Sequence, residues 1–145
     1  MLTARQNHRV EWGHCDPTGA IQTTQFHFWI EQASHRLCEV AGFGHADIEK
    51  DPQLKGFPAV SVEAELISLP KYGDIITVTS RVVRLGNSSL QIEHVFELDS
   101  HLLAKGYEIK VCATGSEQNQ HELQAIPIPE HIRKNFADQR LIEFS

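Results

Sequence analysis

The apolar patterns along these 145 residues predict an α+β domain in which an antiparallel sheet packs on one long helix. Three observations carry that expectation. The segment "QFHFWIEQASHRLCEVAGFG" repeats its apolar residues with a helical period. Five other segments alternate in polarity or are rich in β-branched residues, as strands are. The links between the last four of these are mostly short, which favours antiparallel neighbours, and a long apolar helix face must then lie against their sheet.

The elements follow in order. Residues 2–12 place Ala4, His8, Val10 and Trp12 on one face and Arg5, Arg9 and Glu11 on the other, a strand with one half-buried side. In "HCDPTGAIQTTQFHFW" (14–29), Asp16, Pro17 and Gly19 stand first, second and fourth in a type I turn. Thr23 or Thr24 is then expected to cap a helix that begins near Gln25. Phe26, Trp29, Ile30, Ala33, Leu37, Val40 and Ala41 fall within an arc of about 120°, at about 100° per residue. Gly42 is placed to stop the helix.

"HADIEKDPQLKGFP" is polar and broken by two prolines, a loop with one short helical turn. Strands follow in "AVSVEAELISL", where Val60, Val62, Ala64 and Leu66 share a face, and in the β-branched "DIITVTSRVVRL". The turn "GNSS" leads to "LQIEHVFEL", whose Leu90, Ile92, His94, Phe96 and Leu98 face one way. A second hairpin turn at Asp99-Ser100 leads to a strand carrying Tyr107, Ile109, Val111 and Ala113. The tail "IPEHIRKNFADQR" is expected to form a short helix that turns Ile132 and Phe136 inward.

The length suits one domain over 1–145, and 41% apolar with 22% charged residues is ordinary for a chain that buries a core. No apolar run approaches the roughly 18 residues of a membrane span. The first residues lack the pattern of a signal peptide, and Cys15, Cys38 and Cys112 suit reduced thiols, so a cytoplasmic location is expected. A net charge of −6 without a Lys/Arg cluster argues against nucleic-acid partners. There is no Gly-rich phosphate loop, G-x-S-x-G elbow or C-x-x-C pair. His14, Cys15 and Asp16 are all metal-binding types, but consecutive residues seldom aim at one ion, so no metal is expected. His27, Glu31 and His35 share a helix face best explained as solvated, His94 suits a hydrogen-bonded core histidine, and Phe28 lies off the core arc as an oligomer contact or pocket wall.

Asp16 poses the functional question. It is either turn chemistry alone or a carboxylate held in front of a helix N-terminus for another purpose. The stretch "VEWGHCDPTGAIQTTQFHFWIEQA" resembles the signature of the 4-hydroxybenzoyl-CoA thioesterase family, the acyl-CoA thioester hydrolases of the hot-dog fold. The shared features are Trp12-Gly13, Asp16, Gly19 and the aromatic start of the helix from Phe26 to Trp29. The likeness continues through "GFPAVSVEAELISLPKYGDIITVTSRVVRLGNSSLQIEHVFEL" and covers roughly residues 5–115.

The resemblance implies a five-stranded antiparallel sheet wrapped around the helix and a coenzyme A thioester substrate, with no cofactor. It implies Asp16 as catalytic carboxylate, nucleophile or general base, with N–H groups near Thr23 and Thr24 polarising the thioester carbonyl. Thr23 stands where many relatives carry His or Tyr. The turn that carries basic residues for the CoA phosphates in some relatives here offers Asn87, Ser88 and Ser89, with Arg84 just before it. Phe26 or Phe28 and "GFPAV" are the expected acyl-pocket walls. Relatives dimerise by joining sheets edge to edge, with sites between subunits, and the dimers often pair into tetramers. Edge strands poor in charged or proline gatekeepers, together with Phe28, suit a homo-oligomer here. Two other functions fit the same fold: an enoyl-thioester hydratase or dehydratase, and a non-catalytic acyl-CoA-binding module.

Overall fold

The computed structural model describes residues 1–50, 56–115 and 123–144. The chain runs β1 (Thr3–Arg9), a 3-10 turn (Trp12–His14), α1 (Gln25–Val40), α2 (His45–Lys50), β2 (Ala59–Leu66), β3 (Ile75–Leu85), β4 (Ser89–Leu98) and β5 (His101–Val111). β6 (Ala113–Gly115), β7 (Leu123–Ala125), α3 (Glu130–Ala137) and β8 (Leu141–Glu143) complete it. The main sheet has the order β2-β5-β4-β3-β1-β8.

The five expected strands pair antiparallel, joined by the expected turns at Gly86–Ser89 and Asp99-Ser100. Both residues of the second turn have positive φ, 47° and 70°, as a two-residue hairpin that follows the strand twist requires. The sheet has one strand more than expected. β8 adds in parallel to β1, with Ala4 opposite Ile142, and three residues are too few to leave a pattern in the sequence. Trp12 is another correction. The strand ends at Arg9 and the chain curls, which leaves Trp12 exposed against Tyr72, ring edge to ring face at 5.6 Å.

α1 buries the residues that its periodicity singled out, from Phe26 through Leu37, and adds Ser34 and Cys38. It stops as Gly42 predicts. Gly42 has φ +88°, its N–H reaches the Glu39 carbonyl, and the Phe43 N–H reaches that of Cys38, a Schellman motif. The N-terminus differs from expectation. Thr24 occupies the cap position with helical dihedrals and makes no side-chain cap bond. The carbonyls of Gln22, Thr23 and Thr24 accept instead from Gln25, Phe26 and His27 in a tightened first turn.

Two apolar clusters form the core. One gathers around Phe26, Trp29, Ile30 and Phe96, the other around Leu37, Phe43, Ile132 and Phe136 of α1, the following loop and α3. Polar residues lie buried at the middle of the sheet. His94 Nε2 lies 2.7 Å from Glu108 Oε1, Ser80 Oγ lies 2.6 Å from His94 Nδ1, and Ser34 of α1 reaches Glu108 Oε2 at 3.4 Å. His94 is therefore the hydrogen-bonded core histidine expected.

The helix comes close to this layer because Gly106 stands opposite His94. A Cβ there would lie 2.6 Å from Ile30 Cδ1 and 2.9 Å from its Cγ1, and Ile30 is too deeply buried to swing aside. Gly106→Ala is expected to cost about 1–3 kcal/mol through overpacking. Thermal unfolding at fixed protein concentration checks this; an unchanged melt would show that the helix does not need its present depth.

Candidate active site

Residues 14–22 form a miniature hairpin. Cys15 bridges Ile21, the Gln22 N–H donates to the His14 carbonyl at 2.9 Å, and the Asp16 N–H donates to the Ala20 carbonyl at 2.8 Å. At the tip the Gly19 N–H closes a turn onto the Asp16 carbonyl, and Gly19 takes φ +87°, the left-handed residue that follows a type I turn in a three-residue loop. The sequence signature of the turn is thus realised.

One oxygen of Asp16 does all the turn's side-chain work. Oδ1 accepts from the Thr18 N–H at 2.8 Å, the Thr18 hydroxyl at 2.5 Å and the Ala20 N–H at 3.2 Å. Among the described residues Oδ2 accepts no hydrogen bond. The Thr18 hydroxyl, helped by the Thr18 and Ala20 amides, outweighs the opposing desolvation and holds the carboxyl below its ordinary pKa. Asp16 is an ionised carboxylate with one oxygen free.

The base of the hairpin runs into α1. Among the described residues the N–H groups of Thr23 and Thr24 have no acceptor, and both residues are exposed. Unpaired donors at the positive end of a sixteen-residue helix are what a developing oxyanion needs. His14 forms no ion pair with Asp16 among the described residues. Its Nδ1 accepts the Glu11 N–H at 2.9 Å, and its ring meets Trp29 edge-on at 5.4 Å.

Other expected site residues fall differently. Phe26 has 0% exposure and packs on Trp29 and Phe96, so it belongs to the core rather than to a pocket wall. Phe28 is exposed at 64% and lines none of the cavities described below. The segment "GFPAV" does line one. A cavity of about 380 Å³ is bounded by Phe57, Pro58, Ala59 and Val62 on one side and by His27, Ile30, Glu31 and His35 of α1 on the other, with Glu108 and Lys110 behind. The helix face that looked merely solvated is the wall of a cavity. Periodicity shows that these residues avoid the core, but not that β2 stands opposite them.

Asn87, Ser88 and Ser89 lie at the far end of β3 from the Asp16 hairpin, which meets the other end through the Ala20–Lys71 bridge and the Val10–Asp74 bond. Eleven strand residues separate the two ends, about 33 Å. One protomer does not bring the turn to Asp16. The turn does acquire the basic residue that its sequence lacks, since the Arg133 guanidinium of α3 donates to the carbonyls of Gly86 and Asn87. No local pattern announces Arg133, which is 44 residues further along the chain than Ser89. Among the described residues no His, Cys, Asp and Glu cluster could hold a metal ion.

This arrangement has relatives. 4-Hydroxybenzoyl-CoA thioesterase of Pseudomonas sp. strain CBS-3 is 26% identical over 129 residues, covering 83% of this chain and 88% of the relative. The 1,4-dihydroxy-2-naphthoyl-CoA hydrolase of Prochlorococcus marinus subsp. pastoris is 26% identical over 102 residues, 68% of each chain. Among solved structures, an aspartate-to-asparagine mutant of 4-hydroxybenzoyl-CoA thioesterase complexed with 4-hydroxybenzoyl-CoA superposes with a TM-score of 0.81 at 22% identity, covering 92% of this chain and 97% of that one. A structure of 4-hydroxybenzoyl-CoA thioesterase from Pseudomonas sp. strain CBS-3 gives 0.79 at 23% identity, with 92% and 98% covered. The sheet wrapped on one helix is therefore the hot-dog fold. Residues 10–136 match the Thioesterase-like superfamily, and the chain belongs to that family.

Proposed function

We propose that this protein hydrolyses acyl- or aryl-CoA thioesters, with Asp16 as the catalytic carboxylate and the Thr23–Thr24 amides as the oxyanion site. One observation carries the reading: a carboxylate anchored by a single oxygen stands at the tip of a hairpin whose base is an open helix N-terminus. Three residues of hairpin separate Asp16 from the level of Thr23, about 10 Å. A carboxylate, a reacting carbonyl and an amide hydrogen bond fill such a span end to end. The relatives named for CoA thioester hydrolysis support the reading, as does the capture of one with its CoA thioester when an aspartate is replaced by asparagine.

In the nucleophilic form of the reaction, Asp16 Oδ2 attacks the thioester carbon and the carbonyl electron pair moves onto oxygen, where the Thr23 and Thr24 N–H groups hold it. Collapse breaks the C–S bond and releases the CoA thiolate. Water then cleaves the mixed anhydride, which frees the acid and restores the carboxylate. In the general-base form, Oδ2 takes a proton from water as the water attacks. The lowered pKa of Asp16 favours attack, because a base works best with a pKa near the operating pH. The cavity along α1 takes the acyl group.

Asn keeps the acceptor oxygen that organises the turn and loses the reactive carboxylate. Asp16→Asn is expected to melt within about 0.5 kcal/mol of wild type. Its turnover on benzoyl-CoA should fall on the order of 10²- to 10⁴-fold. An unaltered melt with near wild-type turnover would return Asp16 to turn chemistry.

The pKa direction gives a second expectation. A carboxyl with a folded pKa below its unfolded value stays ionised until the pH falls below about 3.9. Its stabilising contribution is present above that value and is lost as pH falls through the folded pKa. The acid limb of kcat/KM should therefore lie below about pH 4. A limb with an apparent pKa above 5, in protein still folded by circular dichroism, would mean that another group controls the reaction.

The site also calls for a second chain. The turn with Asn87, Ser88, Ser89 and Arg133 is too far from Asp16 to touch the same thioester within one protomer. Val60, Val62 and Leu66 are exposed on β2, which among the described residues pairs only with β5. Two copies joined at β2 form a homodimer, alone or as half of a tetramer, that covers this face. Light scattering at micromolar concentration is expected to give a dimer or tetramer, and a monomer would rule out the shared site.

A further inference from the structure

We propose that the Thr18 hydroxyl is a positioning residue for the hydrolysis: it clamps Oδ1 of Asp16 and so leaves Oδ2 as the oxygen that meets the thioester. This rests on the catalytic reading of Asp16.

A carboxylate at the end of a one-carbon arm is hard to aim. Rotation about its Cβ–Cγ bond is broad and two-fold, so its oxygens exchange places unless one of them is held. Asp16 is held by one oxygen. Its Oδ1 accepts from the Thr18 hydroxyl at 2.5 Å, from the Thr18 N–H at 2.8 Å and from the Ala20 N–H at 3.2 Å, the last at the long limit of such bonds. Without the hydroxyl one good bond remains, and the carboxylate can pivot on it until Oδ2 takes the amide. With the hydroxyl, Thr18 grips Oδ1 at two points. Pro17 sets up the grip, because its ring fixes φ and it has no N–H to compete for Oδ1. Thr18 is β-branched, which leaves its hydroxyl few other rotamers to visit.

The turn does not need this hydroxyl for its shape. Backbone bonds already close it, from the Asp16 N–H to the Ala20 carbonyl, from Gly19 to Asp16 and from Gln22 to His14. Nor does Thr18 fill a core, since it is exposed. What the hydroxyl acts on is the carboxylate.

The hydroxyl is also the largest influence holding that carboxyl below its ordinary pKa, which makes Oδ2 a weaker base. The two effects oppose each other in rate. Basicity gained on losing the hydroxyl returns only in part as rate. A misplacement of about 1 Å, by contrast, costs on the order of 10²-fold. Position outweighs basicity, so loss of the hydroxyl slows the reaction. Attack on carbon and proton removal from water both use Oδ2, and both are slowed.

Thr18→Val keeps the branched shape and removes the hydroxyl, whereas Thr18→Ser keeps the hydroxyl. On benzoyl-CoA at neutral pH the valine variant is expected to lose about tenfold in kcat, with KM within about twofold of wild type. Its acid limb of kcat/KM should move to higher pH, in protein that melts as wild type does. The serine variant should restore kcat to within about twofold and return the limb, because it supplies the same donor. A wild-type or faster kcat in Thr18→Val overturns the proposal, and so does a loss that Thr18→Ser shares in full. If the valine variant does not fold, Thr18→Ala decides by the same outcomes. Asp16→Asn is run beside them. Should it keep wild-type turnover, or should wild type hydrolyse no thioester, the reading of Asp16 fails and this proposal with it. Turnover lost in Asp16→Asn but kept in Thr18→Val leaves that reading standing and removes the role of Thr18 alone.

Discussion

The Glu108 carboxylate is the point through which the rest of the structure is joined. It is 2% exposed on β5, and its partners come from β4 (His94), α1 (Ser34) and its own strand (Lys110), which in turn holds the Phe57 carbonyl ahead of β2. Each of these groups is costly to bury alone, and removing one partner of a buried charge costs about 3–5 kcal/mol. An apolar core lets a helix slide by a turn with modest loss. Here a slide of α1 would take Ser34 from Glu108 and drive Ile30 away from Gly106. The polar layer fixes the depth and register of the helix, and with them the position of its N-terminus.

That N-terminus matters because it is the oxyanion site in the proposed reaction. A capped helix satisfies its first amides internally, whereas this one spends its early carbonyls in a tight turn and leaves the Thr23 and Thr24 amides open. The Asp16 hairpin solves a related problem. A carboxylate fully engaged in hydrogen bonds would be ordered but unreactive, and a free one would be reactive but mobile. Three bonds on Oδ1 give order, and the bare Oδ2 keeps the chemistry available. Turn chemistry and the proposed catalysis are not rival accounts of Asp16, because each would use a different oxygen.

What could be seen in the sequence follows from the range of the forces involved. The α1 core face, its Gly42 stop, the Asp16 turn and the alternation that buries Leu90, Ile92, His94 and Phe96 are local patterns, and all of them appear in the structure. The place of Phe26 is not legible locally, because an aromatic at the start of a helix is equally consistent with core and pocket; its contact with Phe96, seventy residues away, puts it in the core. Thr24 takes the cap position without making the cap bond, because cap preference says which residue suits the position, not whether its side chain turns toward the amides. The arrival of Arg133 at the Gly86–Ser89 turn and the closure of His27, Glu31 and His35 into a cavity by Phe57 and Val62 are long-range events. No window of neighbouring residues contains them.

The same distinction bears on the proposal that the site is shared between two chains. Strand length is a local property, and eleven residues of β3 hold the Asp16 hairpin and the Asn87–Ser89 turn at opposite ends of a stiff sheet. Bending that sheet enough to bring the ends together would break the β3–β4 and β1–β3 ladders. A sheet that cannot fold back can still meet another copy of itself. Among the described residues β5 is the one strand paired with β2, and in the proposed assembly a two-fold operation at that edge would turn the far end of one protomer toward the hairpin end of the next. On this argument rigidity and assembly are one constraint. The stiffness that holds the helix N-terminus in register is also what would make a partner subunit necessary to the proposed shared site.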